Sequence, residues 1–142
     1  MSDKLSFYKE FLQEVWSNGR AECLSLYVSD CSHATGLISD VEMTREDMEE
    51  LVPALRAHLD HIRHDIRHSY ESGDILHVLM TVSGTSKVSG NHVEFSGQSL
   101  LRFRDGKIVA MHDHYDLIGL FSQLGFLPVD TVALCLSSEK IS

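Results

Sequence analysis

An α+β fold, a curved antiparallel or mixed β-sheet drawn into a cone by three to four helices around a pocket, follows from three features of the sequence. Helical periodicity fills the N-terminal 60 residues or so, period-two alternation takes over after them, and a two-residue hairpin turn joins the last two alternating runs. Helices followed by consecutive antiparallel strands make a layer of helices on one face of a sheet.

The first helix places Leu5, Tyr8, Leu12, Val15 and Trp16 on one stripe and stops at Asn18-Gly19. A second, roughly Arg20 to Val28, repeats the period with Cys23, Leu24, Tyr27 and Val28. Ser29 to Asp40 is small and polar, a loop with a short strand around His33. Thr44 is an N-cap with acidic residues in the turn that follows, and Met48, Leu51, Leu55 and Leu59 form that helix's buried stripe, with Pro53 a candidate kink. From His61 the period becomes two, so that Ile62, His64, Ile66, His68 and Tyr70 share one face. A turn over Glu71 to Asp74 leads to a central strand, Ile75 to Thr85, and the Gly/Ser-rich stretch Ser83 to Gly90 holds a bend or bulge. A last short helix, Leu117 to Leu124, ends at Gly125, and the tail 128–142 is apolar enough to pack. The whole reads as one domain, 1–142, with its core at about 5–127.

Val93 to Arg104 and Lys107 to Asp116 flank Asp105-Gly106, a type of turn that two-residue hairpins favour. Regular pairing from Arg104 opposite Lys107 sets Phe103 against Ile108, Leu101 against Ala110, Ser99 against His112, Gly97 against His114 and Phe95 against Asp116. One face then carries an apolar wall with His112, His114 and Asp116 at one end, and Met111, Asp113 and Tyr115 fall on the other. A carboxyl group among apolar neighbours has its pKa raised toward the range where it shuttles protons. Asp116 is therefore the candidate proton carrier, with His112 or His114 orienting it or polarising an oxygen, and Phe95, Leu101, Phe103, Trp16 and His64 lining the pocket. Asp116 is equally placed to cap the last helix. The His-x-His-x-Asp run also has the composition of a metal site, completed by His33 or His64.

Charge and composition narrow the partners. A net charge of -9, from 21 acidic and 12 basic side chains, repels nucleic acid and anionic membrane surfaces. No apolar run has the length of a signal peptide or a membrane span, and three scattered cysteines form no disulfide framework, so a cytoplasmic protein with reduced thiols is expected. No Gly-x-Ser-x-Gly nucleophile motif and no phosphate-cradling Gly loop is present.

The run Asp105 to Gly125, DGKIVAMHDHYDLIGLFSQLG, resembles the C-terminal signature of the SnoaL-like polyketide cyclase family, in the nuclear transport factor 2-like superfamily. The likeness lies in Asp116, Gly119, Leu120, Gln123, Leu124 and Gly125, with fainter echoes at Asp30 to His33, Gly73-Asp74 and Ser83 to Thr85. It implies a cone with a deep pocket, a homodimer through the outer sheet face, and acid/base catalysis by Asp116, assisted by His33, without metal or cofactor. The family commonly has Trp at the position of His112 and often Glu at that of Ala110. The expected function is an aldol cyclase, isomerase or hydrolase acting on a small apolar carbonyl compound. A non-catalytic binding or dimeric scaffold module and a metal-dependent site at His112, His114 and Asp116 are the alternatives.

Overall fold

A computed structural model describes residues 3–141. Five strands, β1 (Val28–Thr35), β2 (Leu59–Ser72), β3 (Ile75–Ser86), β4 (His92–Arg104) and β5 (Lys107–Tyr115), form one sheet in the order β1-β5-β4-β3-β2. The β1–β5 pair is parallel and the other three are antiparallel, so the sheet is mixed. Helices α1 (Asp3–Phe11), α2 (Leu24–Tyr27), α3 (Arg45–Arg56), α4 (Leu117–Gln123) and α5 (Thr131–Leu136) complete the fold. The α+β class is as expected. What the sequence suggested as a short strand near His33 is the full edge strand β1, which gains its hydrogen-bonding partner only once β5 lies beside it.

The core fills the space between the sheet's inner face and the helices. Tyr8, Phe11, Leu12 and Val15 from the N-terminus, Leu24 and Tyr27 of α2, Met48 and Val52 of α3 and Leu120 of α4 meet Leu76, Val78, Met80 and Val82 of β3 and Val93, Phe95, Leu101 and Phe103 of β4. β4 alternates buried and exposed along its entire length, as a central strand covered on one face must.

The first helix is not α-helical throughout. Leu12–Ser17 widens into a π-helical turn, closed by the Asn18 N–H donating to the Gln13 carbonyl at 2.8 Å. The terminal carbonyls of Trp16 and Ser17 accept from the Arg56 guanidinium at 2.9 and 2.7 Å, which fastens α3 to the end of this segment. Thr44 caps α3 reciprocally with Asp47, and Pro53 sits on the helix's exposed side. Of the expected stripe, Met48 is buried and Leu51 and Leu55 are half-buried, Val52 takes the second fully buried place, and Leu59 already belongs to β2.

Two irregularities in the sheet decide which residues face inward. In β2 the register slips between Ile66 and His68, so Ile62, His64 and Ile66 face the core while His68 and Tyr70 turn outward, contrary to the single period-two face expected. In the β4–β5 hairpin Phe103 pairs with Ile108, but Arg102 pairs with Ala110, and Val109 is the extra residue of a bulge. Beyond it Leu101 faces Met111, Leu100 faces His112, Ser99 faces Asp113, Gln98 faces His114 and Gly97 faces Tyr115. A one-residue slip exchanges the two faces of a strand. The expected pairing is therefore corrected by one residue from Ala110 onward, and every ionisable group of β5 changes sides.

Candidate functional site

The inner face of the hairpin carries Ile108, Met111, Asp113 and Tyr115. Asp113 sits opposite Ser99 at the middle of β4, and the Ser99 hydroxyl donates to Asp113 Oδ1 at 2.5 Å. The Tyr8 hydroxyl, reaching down from α1, donates to Ser99 Oγ at 3.2 Å. Among the described residues no hydrogen-bond donor is recorded at Asp113 Oδ2. One carboxylate oxygen is thus held in place and the other has no hydrogen-bond donor among the described residues.

Burial pushes the Asp113 carboxyl up to about 6, against smaller downward pulls from the Ser99 hydroxyl and from His112 and His114 on the opposite face of the strand. Burial also raises Tyr8 and Tyr115 above the ordinary phenol range, with the charge of Asp113 adding to both, so both keep their protons. His64, half-buried at the far side of the inner face, is pushed down by burial to about 4 and is neutral near pH 7; its Nδ1 lies 3.5 Å from the Ser17 hydroxyl. An apolar interior that holds one titratable acid, two phenols and one neutral imidazole is equipped for proton transfer to and from an uncharged molecule.

Several of the residues expected to line the pocket do face this interior. Phe95, Leu101 and Phe103 are buried, Trp16 is half-buried against the core, and His64 lies inward. The expected catalytic group does not assemble there. Asp116 is exposed and caps α4, its Oδ1 accepting from the Gly119 N–H at 2.9 Å. His112 and His114 are exposed on the outer face, ring centroids 4.8 Å apart, and Thr35 Oγ1 lies 2.7 Å from His112 Nδ1. They border an open cleft of about 520 Å³ whose other wall includes Asp40 and Glu42. His33 stands on the outer side of β1 and pairs with Glu42 at 2.7 Å. The physical reason is the Val109 bulge, which carries the two imidazoles out of the core and Asp113 into it. Among the described residues no three His, Cys, Asp or Glu side chains converge as metal ligands, so His112, His114 and Asp116 do not form the three-ligand set.

Sequence reasoning missed Asp113, Ser99 and Tyr115. A signal was present: Ile108 to Met111 is an unbroken apolar run, so a slip within it is invisible to alternation. The observed register buries Met111 and half-buries Tyr115, whereas the regular one buries three ionisable groups in their place, which is costly without partners.

The resembling motif also finds a structural explanation. A side chain at Gly119 would run into the Asp116 carboxylate that caps the helix. Gln123 clamps the Glu94 backbone, accepting from its N–H at 2.9 Å and donating to its carbonyl at 2.8 Å. Asp116, Gly119 and Gln123 therefore fasten α4 to β4.

Comparison with solved structures shows the same fold. A candidate polyketide cyclase from Acidithiobacillus ferrooxidans shares 23% identity over 88% of this chain and 98% of its own, with a TM-score of 0.72. TsrD from Streptomyces laurentii shares 20% over 89% and 99%, with a TM-score of 0.73. A protein of ketosteroid isomerase-like fold from Catenulispora acidiphila, solved with trimethylamine, shares 22% over 84% and 92%, with a TM-score of 0.70. No curated protein matches the sequence. The family model of the SnoaL-like polyketide cyclases matches residues 7–124, most of the chain, and the protein belongs to that family.

Proposed function

We propose that this protein is an acid/base enzyme of the aldol cyclase or isomerase type, acting on a small uncharged carbonyl compound, and that Asp113, in place of Asp116, carries the proton. The observation behind this reading is the Asp113 carboxyl in an apolar interior, one oxygen held by Ser99 at 2.5 Å and the other unpartnered among the described residues. In the reaction Asp113 takes a proton from the carbon next to a carbonyl, giving an enolate, and returns a proton once the double bond has moved or a new carbon–carbon bond has formed. Ser99 is a positioning residue, and Phe95, Leu101, Phe103, Met80 and Trp16 supply apolar walls. His64 stays neutral and adds a polar edge without a charge.

Family membership supports a small molecule as the ligand. Among the described residues no helix is long and apolar enough to cross a membrane. The outer sheet face, where Leu79, Leu100 and Tyr70 are exposed, is the surface we assign to a homodimer. Light scattering of the wild type and of Leu100→Glu tests that assignment: the wild type should have twice the chain mass and the variant should be a monomer.

Exchange of α-protons for deuterium in 2-tetralone and related cyclic ketones, followed by NMR in D2O, tests the acid/base role. Wild-type protein should accelerate exchange, Asp113→Asn should lose at least about 100-fold, and Asp116→Asn should stay within about twofold. Unchanged exchange in Asp113→Asn, or none in the wild type, contradicts the reading.

A further inference from the structure

We infer that His112 and His114 form a two-imidazole site for a divalent first-row transition-metal ion, copper(II) above all, in the cleft on the outer face of β5. Water fills the remaining coordination positions. Both imidazoles stand on the opposite face of the strand from Asp113, so the inference is separate from the proposed proton transfer.

Two residues apart on one strand, the rings share a face, with centroids 4.8 Å apart. Two imidazoles on one ion, each ligating nitrogen about 2.1 Å from it, have ring centres roughly 4.5–5 Å apart. Parallel pairing sets Thr35, the last residue of β1, beside His112, and its Oγ1 lies 2.7 Å from His112 Nδ1. With the Nδ1–H donating to that oxygen, the ring's lone pair sits on Nε2, and a metal-ligating imidazole is ordinarily held through its other nitrogen in this way. Among the described residues no hydrogen bond is recorded at His112 Nε2 or at either nitrogen of His114. Gly36, at φ 91, then turns the chain across the two rings. A Cβ there would stand 3.2 Å from His112 Cε1 and 3.0 Å from His114 Cδ2. Each of those carbons is bonded to its ring's Nε2, so both Nε2 edges lie on the Gly36 side, which lines the cleft.

The donors select the ion. Imidazole nitrogens suit copper, nickel and zinc, whereas magnesium and calcium take oxygen ligands. The cleft, about 520 Å³, has Asp40 and Glu42 in its opposite wall, and the chain as a whole carries a net charge of -9, so the local field attracts a cation. Glu42 is already engaged with His33 at 2.7 Å, and among the described residues no third His, Cys, Asp or Glu converges with the pair. The ion therefore keeps water at its other positions, where molecules entering the cleft exchange with it. That is the arrangement of an open site and not of a closed structural one. Both imidazoles are exposed, so loading requires no movement of the core.

Calorimetric titration of the tag-free full chain with Cu2+, Ni2+, Zn2+ and Mg2+ in a non-coordinating buffer tests this. One Cu2+ should bind per chain, more tightly than Ni2+ or Zn2+, and Mg2+ should not compete. Electron paramagnetic resonance of the copper form should show coupling to two nitrogens. His112→Ala and His114→Ala should each weaken copper binding at least about tenfold, while His33→Ala, which leaves the pair intact, should change it by less than about twofold. Thr35→Val should cost about tenfold and Thr35→Ser should restore the affinity, because only the hydroxyl holds the His112 tautomer. No copper binding, an affinity that ignores either imidazole's removal, one ion shared between two chains, or a spectrum without two coupled nitrogens each overturns the inference. Ketone exchange by the metal-free protein is a separate readout, so failure of the copper site and failure of Asp113 as proton carrier are told apart.

Discussion

Asp113 and Asp116 lie three residues apart, and the chain uses them in opposite ways. Asp113 points into the core, meets a hydroxyl at 2.5 Å and has its carboxyl pushed up to about 6. Asp116 points outward, accepts one backbone N–H at 2.9 Å and starts a helix. Neither the residue type nor the immediate neighbours distinguish them, since each follows an aromatic or imidazole side chain in an alternating stretch. What distinguishes them is one unpaired residue, Val109, three places beyond the Asp105-Gly106 turn. Environment rather than identity makes one aspartate a buried acid and the other a helix cap.

The sharpest way to break the comparison is to remove the bulge. Deleting Val109 restores regular pairing beyond Ile108, turning Met111 and Tyr115 out and the two imidazoles in. The loss of buried apolar groups together with unpartnered buried imidazoles should cost roughly 5 kcal/mol or more, enough to abolish a cooperative thermal transition in calorimetry. Next in size is the difference in proton exchange between Asp113→Asn and Asp116→Asn given above.

A third effect concerns stability and pH. The Asp113 carboxyl is raised on folding from 3.8 to about 6, so its contribution to stability is complete below pH 3.8 and is lost as pH rises through 6. His64 is lowered from 6.5 to about 4, so its contribution is present above 6.5 and is lost as pH falls through 4. The two slopes oppose one another in the wild type. Asp113→Asn leaves His64 alone, and its denaturant-derived stability should climb between pH 4 and 6.5 more steeply than that of the wild type. His64→Leu should show the reverse trend, with stability falling over the same window.

Smaller still is the cap. Asp116→Ala should lower stability by about 1 kcal/mol, whereas Asp116→Asn, which can still accept from Gly119, should leave it nearly unchanged. Smallest are the changes tied to Asp113's partners. Ser99→Ala removes a hydrogen bond that favours the ionised carboxyl, so the midpoint of the pH profile for ketone exchange should move upward. His112→Ala or His114→Ala should move it upward by less, with the maximal rate kept.

Much of the fold was legible in the sequence because it depends on local signals: the Asn18-Gly19 stop, the Thr44 cap, the Asp105-Gly106 turn and the alternation of β4 each act over a few residues. β1 reads as mostly loop because Ser29 to Asp40 has little strand composition, and its part up to Thr35 becomes a strand only by pairing with β5, about 77 residues later. The candidate site was half legible. Alternation sets Phe95, Leu101, Phe103 and His64 on the inner face, where the structure has them, while Asp113 is hidden by a bulge inside four consecutive apolar residues. The resemblance at Asp116 to Gly125 was real, but its most specific residues serve the attachment of α4, so the strongest sequence signal pointed to a cap.

Titration of the Asp113 side-chain carboxyl carbon by NMR tests the central claim most directly. Burial predicts a midpoint near pH 6. A midpoint for Asp113 near 4, in the ordinary aspartate range, would mean that the carboxyl meets water and would contradict its assignment as the interior acid.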